Sequence, residues 1–182
     1  MKKKIKIIAG IICVILVIIA LWLYSTISVI YKEFAPNETL LKGEDHKQAL
    51  IIYQPSKHDG TKQVTDTLAK QLNKHGYTVT INYPSNKLTY NPNDYDIIAY
   101  GSPVYVSNVS DVLKDYITSL SLNNKHIFIY AVGLLENETL ELDTMISWVN
   151  ESNTIASIKI SKSNTKDFID IIESTLIEWK LD

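Results

Sequence analysis

The run Ala49-Leu50-Ile51-Ile52-Tyr53-Gln54-Pro55-Ser56-Lys57-His58-Asp59-Gly60-Thr61 decides how this chain folds. Its first five residues are an unbroken apolar stretch stopped by Gln54-Pro55-Ser56, the pattern of a strand buried on both faces. The segment from Thr61 to His75 then places Val64, Leu68 and Leu72 at i, i+4 and i+8, with Gly76 as a C-terminal cap. A buried strand feeding an amphipathic helix is the opening half of a βαβ unit.

Downstream the alternation continues. Thr78 to Tyr83 is rich in β-formers, and Pro84 to Tyr95 reads as a polar connection. Asp96-Ile97-Ile98-Ala99-Tyr100 is a second apolar strand that runs into Gly101-Ser102-Pro103. Asp111 to Leu122 gathers Val112, Leu113, Tyr116, Ile117 and Leu120 on one helical face, with Ser110 as N-cap. His126 to Val132 is a further buried strand, and Glu138 to Asn150 a further helix. Ala156 to Ile160 alternates and suits a sheet edge, and Lys166 to Trp179 closes the chain as a helix. Five strands separated mostly by helices predict an α/β fold, a doubly wound five-stranded parallel sheet covered on both faces. Such a sheet binds ligands at the carboxyl ends of its strands, beside the point where strand order reverses. The loops to watch are 54–61, 101–110 and 133–137.

Upstream, Ile7 to Tyr31 contains no charged residue, only Gly10, Ser25, Thr26 and Ser28 interrupting its apolar character. As a helix it spans roughly 37 Å, enough to cross a hydrocarbon core of ~30 Å. Trp22, Tyr24 and Tyr31 lie toward one end, where amphipathic rings favour the headgroup layer. A cleaved secretory signal is the competing reading, but the run is long for one and Thr26-Ile27-Ser28 is a poor cleavage site. The expected organisation is a basic cytoplasmic stub at 1–6, a transmembrane helix at 7–31, a tether at 32–47 and one domain at 48–182. Lys2, Lys3, Lys4 and Lys6 precede the helix, so the positive-inside rule puts the N-terminus in the cytoplasm and the domain outside the cell membrane.

The net charge of −2 therefore averages two unlike parts. Four lysines stand before the apolar run, and the other 14 face 20 carboxylates, a net of −6. That balance gives no case for a nucleic-acid partner. The single Cys13 excludes an intrachain disulfide or a multi-cysteine metal site.

Loop 54–61 has the chemistry of an anion site. A helix N-terminus offers free N–H groups and partial positive charge; Ser56 and Thr61 add hydroxyls, Gly60 allows close approach and Lys57 offsets charge. The alternative is an ordinary helix cap under a solvated loop. With Ser56 and Thr61 at that spacing, the segment resembles the Ser-x-Thr-Gly-x-Thr loop of the flavodoxin-like family, His58 and Asp59 replacing the central Thr and Gly. Asp94 to Tyr105, with its Gly101-Ser102-Pro103-Val104-Tyr105 turn, is similar to the family segment that meets the flavin ring. The resemblance covers residues 48–180.

What it implies is a sheet of order 2-1-3-4-5 and non-covalently bound FMN as cofactor. Ser56, Lys57, His58, Gly60 and Thr61 would hold its phosphate. Ser102, Pro103, Val104 and Tyr105 would lie against the ring, with Tyr105 stacking, and Gly133 and Leu134 would approach from the next loop. The function implied is electron transfer from a membrane-anchored flavoprotein, in contact with the lipid bilayer and with quinones or a membrane redox protein as partners. Two alternatives stay open: a flavin-dependent oxidoreductase of the protoporphyrinogen-oxidase or quinone-reductase type, and an interaction module that has lost FMN.

Overall fold

The computed structural model describes residues 2–181; Met1, expected in the stub, and Asp182, the last residue expected in the domain, lie outside them. Eleven helices and strands carry the architecture: α1 (Lys2–Ile27), β1 (Thr39–Leu41), β2 (Gln48–Tyr53), α2 (Gly60–Lys74), β3 (Thr78–Asn82), β4 (Ile97–Pro103), α3 (Asp111–Thr118), β5 (His126–Val132), α4 (Leu140–Ile146), β6 (Thr154–Ile160) and α5 (Thr165–Glu178), with a 3-10 turn at Ser28–Tyr31 after α1.

The sheet order is β1-β3-β2-β4-β5-β6. β3, β2, β4, β5 and β6 are parallel neighbours in the expected 2-1-3-4-5 arrangement. Alternation explains the layers. Ala49, Ile51 and Tyr53 of β2 point to the face packed by Val64, Leu68 and Leu72 of α2 and Phe168, Ile172 and Leu176 of α5. Leu50 and Ile52 point the other way, to Leu113, Tyr116 and Ile117 of α3 and Leu142 and Met145 of α4. Gly101 stands in β4 because the Tyr130 ring of β5 crosses there and a Cβ would collide with it. The Tyr130 hydroxyl shares a 2.6 Å hydrogen bond with Thr65 of α2, tying sheet to helix.

The segment expected to be a free tether is instead a strap. β1 pairs antiparallel with β3, Leu40 opposite Thr80, and makes a sixth strand. Asn37 N–H donates to Asn82 Oδ1 at 2.7 Å, Ser85 Oγ donates to Glu33 Oε1 at 2.6 Å, and the Tyr90 hydroxyl donates to Glu38. Burial, with Glu38 alongside, pushes the Tyr90 phenol up to about 12. The physical reason is edge protection: without β1, the N–H and C=O groups of β3 would form an open edge.

Helix ends also differ from expectation. α3 stops at Thr118 and α4 spans only Leu140–Ile146, because the apolar side chains beyond them pack from turns. α1 begins at Lys2, so the expected stub is part of the helix, and it gives way to the 3-10 turn at Ser28. Among the described residues one helix is long and apolar enough to cross a membrane, and none of its apolar window is buried.

Candidate functional site

The carboxyl edge of the sheet holds a cavity of about 330 Å³, walled by four loops. Backbone bonds between strand ends fix its floor: Gln54 N–H to Gly101 O at 2.9 Å, Val104 N–H to Val132 O at 2.9 Å and Gly133 N–H to Ile160 O at 3.0 Å. Each loop thus leaves a clamped strand.

The β2–α2 loop contributes Ser56, His58, Gly60 and Thr61. Ser56 Oγ accepts from Thr61 N–H at 3.1 Å and closes the first turn of α2. Thr61 is fully buried, and its hydroxyl has no hydrogen-bond partner. An orphaned hydroxyl at a helix N-terminus, where first-turn N–H groups lack intrahelical acceptors, is a ready anion contact. Asp59 has φ 55°, the left-handed conformation, and stands where the resembling loop has glycine. Aspartate tolerates that region better than most residues, and here Asp59 takes the left-handed position while Gly60 does not. The Asp59 side chain makes no cap and is exposed.

From the β4–α3 loop come Pro103, Val104 and Tyr105. The Tyr105 hydroxyl accepts from Lys57 N–H at 3.1 Å and spans two loops. Tyr105 and Asn108 exchange backbone bonds around a tight turn in which Val106 and Ser107 both have positive φ. Two residues of the sequence-based set lie elsewhere. Lys57 Nζ donates to Ser25 Oγ at 3.0 Å, at the end of α1, and is not in the cavity wall. Ser102 is fully buried below it, its Oγ accepting from Ser110 N–H at 2.9 Å.

The β5–α4 loop supplies Gly133 and Leu134, above Val132. A Cβ on Gly133 would sit 3.2 Å from Val104, so glycine lets these two walls approach closely. Behind this wall Lys159 Nζ meets Glu141 Oε2 at 2.7 Å, both side chains almost fully buried. Burial works to raise the Glu141 pKa, but the Lys159 ammonium and a backbone donor outweigh it and hold the carboxyl below its usual value.

Sequence reasoning missed the fourth wall, Ser161, Lys162 and Ser163 after β6. The Lys162 stem lies 3.8 Å from the position a Gly60 Cβ would take, so it is Lys162, not Lys57, that flanks the α2 N-terminus from within the cavity. The signal was present: small hydroxyl residues and a lysine directly after a strand, as in loop 54–61. Glu136 ties this wall to the previous one, accepting from Ser161 N–H at 2.8 Å and from Asn164 Nδ2 at 3.2 Å. Those bonds, Ser161 first, lower its pKa.

A family model described as a flavodoxin domain matches residues 50–171. Among curated proteins, an uncharacterized protein of Methanocaldococcus jannaschii is 30% identical over 86 residues, 47% of this chain and 54% of its own length. The chain thus spans about half of that relative. Among solved structures, oxidised flavodoxin 1 of Bacillus cereus superposes with a TM-score of 0.56 at 12% identity, covering 72% of this chain and 98% of that one. A flavodoxin of Streptococcus pneumoniae gives 0.55 at 16% identity, covering 72% and 99%. The apo form of an NADH:FMN oxidoreductase gives 0.54 at 15%, covering 72% and 89%. At these identities the likeness is one of fold.

Proposed function

The chain belongs to the flavodoxin-domain family, and from that premise we propose that it binds FMN non-covalently in the carboxyl-edge cavity and transfers electrons while anchored to a membrane by α1. The observation that carries this reading is the buried, unpartnered Thr61 hydroxyl at the N-terminus of α2, in the same cavity as Tyr105. Thr61 Oγ1, Ser56 Oγ and the first-turn N–H groups of α2 hold the phosphate. Lys162 offsets its charge, and the exposed Asp59 carboxylate opposes it from outside. Tyr105, fixed by its bond to Lys57 N–H, would stack on the ring, and the backbone at 103–104 and 133–134 would approach it. The bound flavin supplies the redox chemistry; the protein supplies orientation and a dry wall.

Anchoring is supported by the 28-residue apolar span Lys4–Tyr31 and by the way its end enters the fold. Ile30 is fully buried, and Gln54 Nε2 donates to Val29 O at 2.6 Å and Lys32 O at 2.9 Å. The N-terminal lysines favour a cytoplasmic N-terminus, with the domain on the outer face and a quinone or membrane redox protein as electron partner. Residues 28–41 are tied to the domain by the buried Ile30, by hydrogen bonds and by the pairing of β1, so the protein to test is the full chain in detergent. FMN added to it should shift its visible spectrum, and Tyr105→Ala should move the reduction potential. No spectral change at micromolar protein would leave an interaction module without flavin, and an unmoved potential would remove the stacking role.

A further inference from the structure

Leu134, in the cavity wall, is 93% exposed, and two further apolar side chains next in sequence to lining residues are also exposed, Val106 after Tyr105 at 69% and Leu135 after Leu134 at 60%. Val106 holds this position with φ 50°, a conformation disfavoured for a β-branched residue. Between Leu135 and the next loop, Glu136 turns inward to Ser161 and Asn164, so its charge does not compete with the leucines for the outer surface.

The same edge is where α1 leaves the domain. Gln54, just after β2, clamps Val29 and Lys32, and Ser110, the cap of α3 that follows β4, donates to Ile30 O at 3.0 Å. Lys57 of the cavity loop reaches Ser25. Trp22 and Tyr24 precede Ser25 by three residues and one, about 4.5 and 1.5 Å of helix rise. Rings of that kind sit at headgroup depth. A helix held by these bonds at the carboxyl edge leaves no slack between that edge and the lipid.

We propose that the carboxyl edge rests on the bilayer, with Val106, Leu134 and Leu135 dipped into the boundary between headgroups and acyl chains, so that the cavity opens onto the membrane and its electron partner arrives through the lipid. This rests on the reading of α1 as a membrane anchor. The occupant is lipid rather than a soluble protein because these exposed apolar residues lie at the same carboxyl edge to which the end of an apolar helix is bonded.

The test uses the full chain in vesicles of phosphatidylcholine and phosphatidylglycerol, with nitroxide-labelled lipid quenching a thiol-linked fluorophore. In the native chain the fluorophore sits on Cys13, the one cysteine, within the apolar run. In a Cys13→Ser background it is placed by Leu134→Cys or, at the opposite edge before β6, by Glu151→Cys. Cys13 should be quenched by nitroxides deep in the acyl region, Leu134→Cys should lose most of its emission to shallow nitroxides, and Glu151→Cys should lose none. Quenching at Cys13 with Leu134→Cys as bright as Glu151→Cys overturns the docking and leaves the anchor standing. An unquenched Cys13 overturns the anchor and the docking together.

Discussion

Replacing Thr61 with valine should make the flavin-free protein more stable and its flavin complex weaker. The side chain is fully buried and its hydroxyl unpartnered, while its backbone N–H and C=O are bonded to Ser56 Oγ and Thr65 Oγ1. Thr61→Val keeps the shape and the backbone bonds and removes only the orphan. A buried unsatisfied hydroxyl costs about 1–3 kcal/mol, and valine and threonine have similar helix propensity, so most of that cost should be recovered. For a protein of this size each kcal/mol moves Tm by roughly 2–4 °C. A hydrogen bond to a charged phosphate contributes about 1.5–3 kcal/mol, so FMN affinity should fall roughly 10- to 150-fold. Thermal melts of the apo-protein and a flavin titration of both forms read the two effects. A variant that melts lower, or one that binds FMN as tightly as the parent, refutes the assignment of this hydroxyl as a ligand contact held in reserve.

Asp59→Gly should act in the same direction on both quantities: glycine removes a left-handed penalty of about 1 kcal/mol, and loss of the carboxylate strengthens anion binding, seen as a higher Tm and a lower Kd for FMN. Lys159→Met alone should destabilise by about 3–5 kcal/mol because it strands a buried carboxylate, whereas adding Glu141→Leu should recover most of the loss in denaturant melts. Acid should loosen the cavity through Glu136. Its folded-state pKa is depressed, so the clasp stabilises the fold above the ordinary carboxylate pKa and loses that contribution as pH falls through the lowered value. Protection of the Ser161 amide, its exchange measured against the intrinsic rate at each pH, should fall across that window in the parent, and Glu136→Gln should flatten the dependence.

The five parallel strands were legible because each is a short apolar run whose alternate residues both find a layer, as Leu50 and Ile51 do on opposite faces. β1 was not legible. Thr39 and Leu40 are exposed and Leu41 only half-buried, so this strand is defined by backbone pairing with β3 and leaves no side-chain period to read. In the cavity, residues tied to a strand end, such as Ser56, Thr61, Val104 and Gly133, fell where the parallel-sheet rule puts them. Lysine placement did not follow from local sequence. Lys57 is adjacent to Ser56 in the chain, yet its stem turns to the end of α1. Lys162 is far along the chain and arrives because α2 and α5 pack on the same sheet face.

The central claim is a flavin held by its phosphate, and the direct measurement compares FMN with riboflavin, which has the ring and lacks the phosphate, by titrating each against the full chain in detergent. The account predicts that FMN binds and that riboflavin binds far more weakly, with the gap narrowed by Thr61→Val. Equal affinity for the two, or no binding of either, would contradict it.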